Sequence, residues 1–147
     1  MSAEYAIEIE NLAKVYDMGE EKVHALRGVT ARFEKGSFWA IMGHSGSGKS
    51  TMLQILGCLD RPTSGRYILN GREVSNLGDD ELSDVRLKYL GFVFQSFNLI
   101  PQLTVEENIA LPLYYQGVDD ATSRRRAAEY AAYSAARRRL VASSTPW

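Results

Sequence analysis

The sequence is poor in the residues that build disulfide scaffolds, histidine metal centres and membrane spans. It has one cysteine, Cys58, so no disulfide can form within the chain, which fits a reducing compartment. Its two histidines, His24 and His44, are too isolated to indicate a metal site. No apolar run approaches the roughly 20 residues that a membrane helix needs. Residues 1–10 also lack the apolar stretch of a secretory signal. We therefore expect another chain to supply any membrane span.

The remaining composition is that of an ordinary globular domain with an unusual C-terminal end. Hydrophobic residues make up 45% and charged residues 24% of the sequence, as in ordinary globular proteins. Its 147 residues correspond to about one domain. Residues 1–120 carry 11 basic against 17 acidic side chains, whereas residues 121–147 carry six arginines against Glu129 alone. The end of the chain is therefore a different kind of sequence from its body.

Alternation and turn residues predict a β-rich N-terminal part. Residues 5–10, "YAIEIE", alternate as a strand with Ile7 and Ile9 on one face. Residues 24–43 are predicted to form two strands around Lys35-Gly36, and the second, Phe38 to Met42, is apolar enough to be buried on both faces. Asn70-Gly71 predicts a type I′ hairpin turn. The apolar run "LGFVF", which ends at Phe94, predicts another buried strand.

Helical patterns separate and follow these strands. Residues 49–58 and Asp79 to Tyr89 favour helix, the second with Leu82, Val85 and Leu90 on one stripe. Thr104 and Glu107 form a predicted capping box, and Pro112 is expected to kink or end the helix that follows. The Ala- and Arg-rich stretch from Ala121 to Arg139 also favours helix. The order of elements predicts an α/β fold.

A phosphate-binding loop lies between the apolar strand and the first helix. Gly43, Gly48, Lys49 and Ser50 match G-x-x-x-x-G-K-[ST]. Glycines let backbone amides approach phosphate oxygens, and the helix that follows begins with unpaired N–H groups and partial positive charge. The lysine adds a full charge, and the serine hydroxyl is placed to ligate Mg²⁺. The predicted nucleotide-binding residues are Gly43, His44, Ser45, Gly46, Ser47, Gly48, Lys49, Ser50 and Thr51.

Three further features accompany this loop. Tyr16 lies ahead of it in "LAKVYDMGEEKVHALRGV", Gln95 follows "LGFVF", and "QSFNLIPQLTVEENIALPLYYQG" begins at Gln95. Together they resemble the ATP-binding subunit of ABC transporters, a P-loop NTPase fold, and look most like the MacB/LolD branch of macrolide export and lipoprotein release. The resemblance runs from about Ala6 to Tyr130.

The resemblance implies a role for each of these residues. Tyr16 would stack on adenine, and residues 43–51 would be the Walker A loop that binds ATP. His44 would occupy a variable position of this loop, where it would touch solvent or nucleotide. Gln95 would be the catalytic Q-loop glutamine, which contacts the attacking water and, with Ser50, Mg²⁺. The segment from Ser96 to Leu103 would face a membrane partner.

The resemblance also implies an assembly. The partners would be a transmembrane permease subunit and a second ATP-binding subunit in a homodimer, with no nucleic acid. The chain would then work in the cytoplasm, peripheral at the inner face of the cell membrane.

The downstream motifs of the family are missing from these 147 residues. There is no L-S-G-G-Q signature, no Walker B Asp with its catalytic Glu, no D-loop and no switch histidine. We therefore expect a partial ABC-type domain over residues 1–130, truncated after the Q-loop region. Residues 131–147 would be a divergent tail, and their richness in Ala, Arg and Ser suggests a frameshift.

Three functions remain open at this point. The first is ATP binding and hydrolysis that power an ABC exporter. The second is a non-catalytic fragment that binds nucleotide weakly without hydrolysing it, because phosphoryl transfer to water needs Mg²⁺ held from two sides and a positioned water. The third is a nucleic-acid-binding ATPase that uses the basic tail, for which a solvated helix face is the commoner explanation.

Overall fold

The computed structural model of the chain describes residues 4–19, 21–96 and 98–143, with side chains up to residue 135. The chain divides into two compact units, which meet in sequence between Phe92 and Val93.

The described residues of the first unit form a four-stranded sheet and two helices. Its strands and helices are β1 (Tyr5–Asp17), β2 (Lys22–Glu34), α1 (Lys49–Leu56), β3 (Ser64–Leu69), β4 (Arg72–Glu73) and α2 (Asp79–Tyr89). The spatial order of the strands is β2-β1-β3-β4. Every neighbouring pair is antiparallel. The predicted α/β fold with an antiparallel N-terminal part is therefore confirmed.

The core of this unit joins the sheet to both helices. Its buried side chains come from β1, β2, β3, α1, α2 and the loops beside them: Ile9, Leu12, Leu26, Met52, Ile55, Cys58, Tyr67, Leu69, Val74, Leu82 and Val85. Ile7 and Leu90 pack against this cluster. The stripe predicted for α2 is thus confirmed. Cys58 belongs to the same core, and its burial raises the pKa of its thiol.

The hairpin between β3 and β4 turns where the sequence predicts. Leu69 pairs with Arg72, and the two residues between them have positive φ angles, 49° at Asn70 and 82° at Gly71. Positive φ at both central positions is the signature of a type I′ turn. The asparagine-glycine pair therefore determines this turn locally.

The two strands predicted to be buried on both faces do not form. Residues 38–42 and 91–94 have no regular secondary structure, and the Phe38 side chain is 96% exposed. A strand of this kind needs hydrogen-bonding neighbours at its edges and apolar cover on both faces. Neither segment belongs to the sheet that the described residues form, so their apolar sequence alone was insufficient and both strand predictions are wrong.

Tyr67 anchors β3 to the end of α1. The side chain is 1% exposed, and its hydroxyl donates a hydrogen bond to the Leu56 carbonyl at 2.7 Å. We expect Tyr67→Phe to lower the free energy of unfolding by about 1–2 kcal/mol, because the part-buried Leu56 carbonyl loses its partner. Urea unfolding followed by circular dichroism measures this change. Tyr89→Phe, at an exposed tyrosine, is the matched control, and an equal loss in both variants would contradict the prediction.

The described residues of the second unit form two helices, α3 (Val105–Tyr115) and α4 (Asp120–Ser143). The predicted capping box is present. The Thr104 amide donates to Glu107 Oε2 at 2.7 Å, and the Glu107 amide donates to Thr104 Oγ1 at 3.2 Å. Pro112 lies inside α3, which continues to Tyr115. The proline therefore does not end the helix, and the predicted kink is the effect that stays a prediction. The helix predicted from Ala121 is confirmed by α4.

Candidate nucleotide-binding site

The phosphate loop lies against the sheet at a point that admits no side chain. Gly48 is the N-cap of α1 and has a φ of 87°. A Cβ atom at this position would lie 2.4 Å from the Ala25 carbonyl oxygen and 3.0 Å from Leu26 Cδ2. Glycine is therefore required both by the left-handed backbone and by the close approach of β2.

An irregularity in the sheet contributes to this contact. Lys14 pairs with Leu26 and Val15 pairs with His24, so Ala25 is an extra residue on β2. Such a bulge redirects the backbone locally. Here it is the carbonyl of the extra residue that faces Gly48, so the bulge and the loop are two parts of one packing arrangement.

The loop leads directly into the positive end of α1. The Met52 amide donates to the Gly48 carbonyl at 2.8 Å, so the amides of residues 49–51 precede this first intrahelical bond. Because the N-cap is a glycine, it has no side chain that could accept from them. Unpaired amides and the helix dipole together attract anions.

The Lys49 ammonium folds back across the loop. It donates to the His44 carbonyl at 2.7 Å and lies 3.4 Å from Ser47 Oγ. The exposed His44 ring points its Nδ1 at the Ser45 carbonyl, 2.7 Å away. The positive charge is thus held inside the loop formed by residues 43–48.

The chemistry of the loop fits a polyphosphate. Residues 43–51 contain no carboxylate, and they present backbone amides, an ammonium group and hydroxyls. Phosphate oxygens accept from each of these donors. Ser50 is exposed in the first turn of α1, and a hydroxyl of this kind is an oxygen ligand that Mg²⁺ accepts.

Tyr16 lies on the same part of the sheet as the loop. It pairs with Val23 on β2, two residues before Ala25. Its hydroxyl donates to Asp60 Oδ2 at 2.8 Å. Burial and this bond raise the pKa of Tyr16, while the nearby Thr51 side chain lowers it. The first unit therefore brings Tyr16 together with the last residue of the predicted loop.

Gln95 belongs to the second unit, where it lies in an exposed turn with Ser96. Ser50 belongs to the first unit, so their shared role at Mg²⁺ stays a prediction. Of the segment predicted to face a membrane partner, Phe97 lies outside the described residues.

Comparison with known sequences decides the family. The sequence profile of the ABC transporter family matches residues 26–144. The chain belongs to this family. The resemblance drawn from the loop, Tyr16 and the residues after Gln95 is therefore confirmed.

Relatives of this ABC chain include ATP-binding proteins and permease fusions. An ABC transporter ATP-binding protein of Thermotoga maritima is 53% identical over 123 residues, which cover 84% of this chain and 53% of that protein. The macrolide export ATP-binding/permease protein MacB of Brucella abortus is 51% identical over 122 residues, which cover 83% of this chain and 19% of that protein. The chain spans about half the length of this Thermotoga maritima relative.

A solved structure confirms the fold. The dimeric post-hydrolysis state of the ATP-binding cassette MJ0796, a protein of Methanocaldococcus jannaschii, is bound to ADP and Pi. It matches this chain with a TM-score of 0.77 at 47% identity, covering 84% of this chain and 54% of that one. The chain therefore has the fold of about half an ABC ATPase cassette.

Two absences hold within the described parts of this ABC chain. Across residues 4–19, 21–96 and 98–143, no helix combines the length and the hydropathy that crossing a bilayer requires. Over the same ranges, no three His, Cys, Asp or Glu side chains come together as a metal-binding group.

Sequence reasoning missed Lys14 and Asp60. Lys14 Nζ lies 2.6 Å from Asp60 Oδ1 and 4.8 Å from the centre of the Tyr16 ring. The spacing of Lys14 and Tyr16 along β1 indicates a shared face, since alternate residues of a strand point to the same side. No local signal connects Asp60 to them, because it follows them by more than forty residues.

Proposed function

We propose that this chain is the phosphate-binding part of the ATP-binding subunit of an ABC exporter, and that residues 43–51 bind MgATP. One observation carries the proposal. A loop that carries no carboxylate and presents amides, an ammonium group and hydroxyls packs on the sheet through Gly48 and opens at the positive end of α1. The membership of the chain in the ABC transporter family supports ATP as the polyphosphate that this loop binds.

Each residue has a defined task in this proposal. The amides of residues 49–51 and the Lys49 ammonium hold phosphate oxygens, and the Ser50 hydroxyl provides an oxygen for Mg²⁺. Tyr16 offers an aromatic ring for the base. Gln95 would contribute the second contact to Mg²⁺ and orient the attacking water. Bound MgATP supplies the phosphoryl group whose transfer to water releases energy.

The relatives support a proposal about partners. The Brucella abortus relative is an ATP-binding/permease protein, and the MJ0796 cassette is dimeric. We propose that this chain likewise serves a transmembrane permease, at the cytoplasmic face of a membrane, and that its family domain works as a dimer. The division into a partial domain at residues 1–130 and a divergent tail at 131–147 stays a prediction.

Charge pairing on α4 bears on the nucleic-acid alternative. Arg124 lies 3.0 Å from Asp120, and Arg125 lies 3.1 Å from Glu129. Two of the arginines that made this helix a candidate are therefore paired within the helix. This supports a solvated helix face over a surface for phosphodiester backbones.

We expect the 147-residue chain to bind MgATP weakly and to hydrolyse it negligibly. The phosphate loop is present, but these 147 residues contain no Walker B carboxylates to hold Mg²⁺ from its second side. Isothermal titration calorimetry with MgATP measures binding, and release of inorganic phosphate measures turnover. MgADP and buffer without nucleotide are the controls.

The two measurements separate the open functions. Binding without phosphate release supports a nucleotide-binding part whose catalysis needs the motifs absent from these residues. Steady phosphate release that disappears in Lys49→Ala would overturn the expectation of negligible turnover. Absence of binding even at millimolar MgATP would overturn the proposed function itself.

A further inference from the structure

Asp60 is the centre of a cluster that joins β1 to the loop after α1. Its Oδ1 accepts from Lys14 Nζ at 2.6 Å, and its Oδ2 accepts from the Tyr16 hydroxyl at 2.8 Å. The Arg61 amide donates to Oδ1 at 2.7 Å. The Lys14 side chain is 13% exposed and that of Asp60 is 28% exposed. Both charges are therefore largely removed from water and held by fixed partners.

The cluster restrains the Tyr16 ring in two ways. The hydroxyl is tied to Asp60, and the Lys14 ammonium lies 4.8 Å from the ring centre. A cation at this distance interacts with the face of an aromatic ring. Asp60 therefore binds the ring hydroxyl directly, and together with the Arg61 carbonyl, which accepts from Lys14 Nζ at 2.8 Å, it holds the ammonium beside the ring.

The restrained ring lies beside the phosphate loop. Tyr16 pairs with Val23, and Ala25 of the same strand approaches Gly48. The Thr51 side chain, at the end of the loop sequence, is near enough to the Tyr16 hydroxyl to lower its pKa, against the larger effect of burial. The ring is thus held on the part of the sheet that supports the phosphate loop.

We propose that Asp60 is a positioning residue for base recognition, which fixes the Tyr16 ring beside the phosphate loop so that it stacks on the base of the bound nucleotide. The inference rests on the proposed function and adds a residue to that site. An aromatic side chain that is already ordered loses less conformational entropy when a ligand stacks on it. Asp60 therefore contributes to affinity for the base and not to affinity for the phosphates.

The test compares a ligand that has a base with one that lacks it. Calorimetry with MgATP and with magnesium tripolyphosphate is run on the wild-type chain, Tyr16→Phe, Asp60→Asn and the double variant. Tyr16→Phe keeps the ring and the Lys14–Asp60 ion pair and removes only the hydroxyl that Asp60 holds. We expect each single variant to bind MgATP about three- to tenfold more weakly, as ordering a free side chain requires. We expect tripolyphosphate affinity to stay unchanged.

The double variant and a control complete the design. If Asp60 acts through Tyr16, the MgATP affinity of the double variant is no lower than that of whichever single variant has the lower affinity. Tyr89→Phe, at an exposed tyrosine, controls for loss of a hydroxyl elsewhere, and circular dichroism verifies folding. An equal loss of affinity for both ligands, or an unchanged MgATP affinity in Tyr16→Phe, overturns the inference. Neither result contradicts phosphate binding by residues 43–51. Failure of tripolyphosphate and MgATP to bind the wild-type chain overturns the proposed function and the inference with it.

Discussion

MgATP affinity is expected to fall about 10- to 100-fold when Lys49 is replaced by alanine, since a charge-assisted hydrogen bond is worth about 1.5–3 kcal/mol and each 1.4 kcal/mol is tenfold. The ammonium is the one full positive charge in residues 43–51, and it lies 2.7 Å from the His44 carbonyl inside the loop. Alanine leaves the amides in place but removes this charge. Calorimetric titration of both proteins with MgATP measures the difference.

The control for this change is another lysine of the same unit. Lys22 is exposed at the start of β2, so Lys22→Ala alters the net charge equally without touching the loop. We expect its MgATP affinity to match the wild type within about twofold, because isolated surface charges interact weakly in water. Equal losses in the two variants would mean that Lys49 acts through net charge and would contradict its assignment to the phosphates.

The largest effect on stability is expected from Gly65→Ala. Gly65 has a φ of 92°, and a Cβ atom there would lie 2.4 Å from the Asn11 carbonyl oxygen and 2.7 Å from Leu12 Cα. Asn11 and Leu12 form an irregularity of β1 opposite Gly65, and Leu12 is fully buried. Backbone on both strands would have to move, so we expect a loss of about 3 kcal/mol or more in the free energy of unfolding. Urea unfolding monitored by circular dichroism measures it.

Gly28 provides a matched control for backbone conformation. Its φ of 82° is close to that of Gly65, but no atom lies within 4 Å of the position of a Cβ. Gly28→Ala should therefore show only the strain of the left-handed backbone, about 1 kcal/mol. The difference between the variants isolates the contact with Asn11 and Leu12. Similar losses at both positions would show that the steric contact with β1 has little weight.

Features encoded within a few residues could be predicted from the sequence. The phosphate loop follows from the spacing of Gly43, Gly48, Lys49 and Ser50, and the structure places its backbone at the start of α1. The capping box depends on Thr104 and a residue three positions later. Each of these patterns is satisfied by local hydrogen bonds, so no distant partner has to be known.

The predictions of two buried strands were wrong because a strand, unlike a local turn or cap, depends on distant partners. Residues 38–42 and 91–94 have the apolar composition of strands, but a strand is stable only beside others that accept and donate its backbone hydrogen bonds. The apolar sequence of such a segment indicates that it requires neighbouring strands, but it does not indicate whether those strands are present. In the described residues these segments are irregular, and Phe38 and Met42 are exposed.

By itself, the sequence determined the family and led to the proposal of a phosphate-binding loop, because a few residues at short spacing specify donors that phosphate oxygens accept from. Tertiary structure alone decided how that loop is supported and what accompanies it. The Ala25 carbonyl against Gly48 depends on the register of β1 and β2. The bond from Tyr16 to Asp60 depends on a contact across 44 residues. Such partners are selected by packing between elements, and packing depends on the whole folded chain.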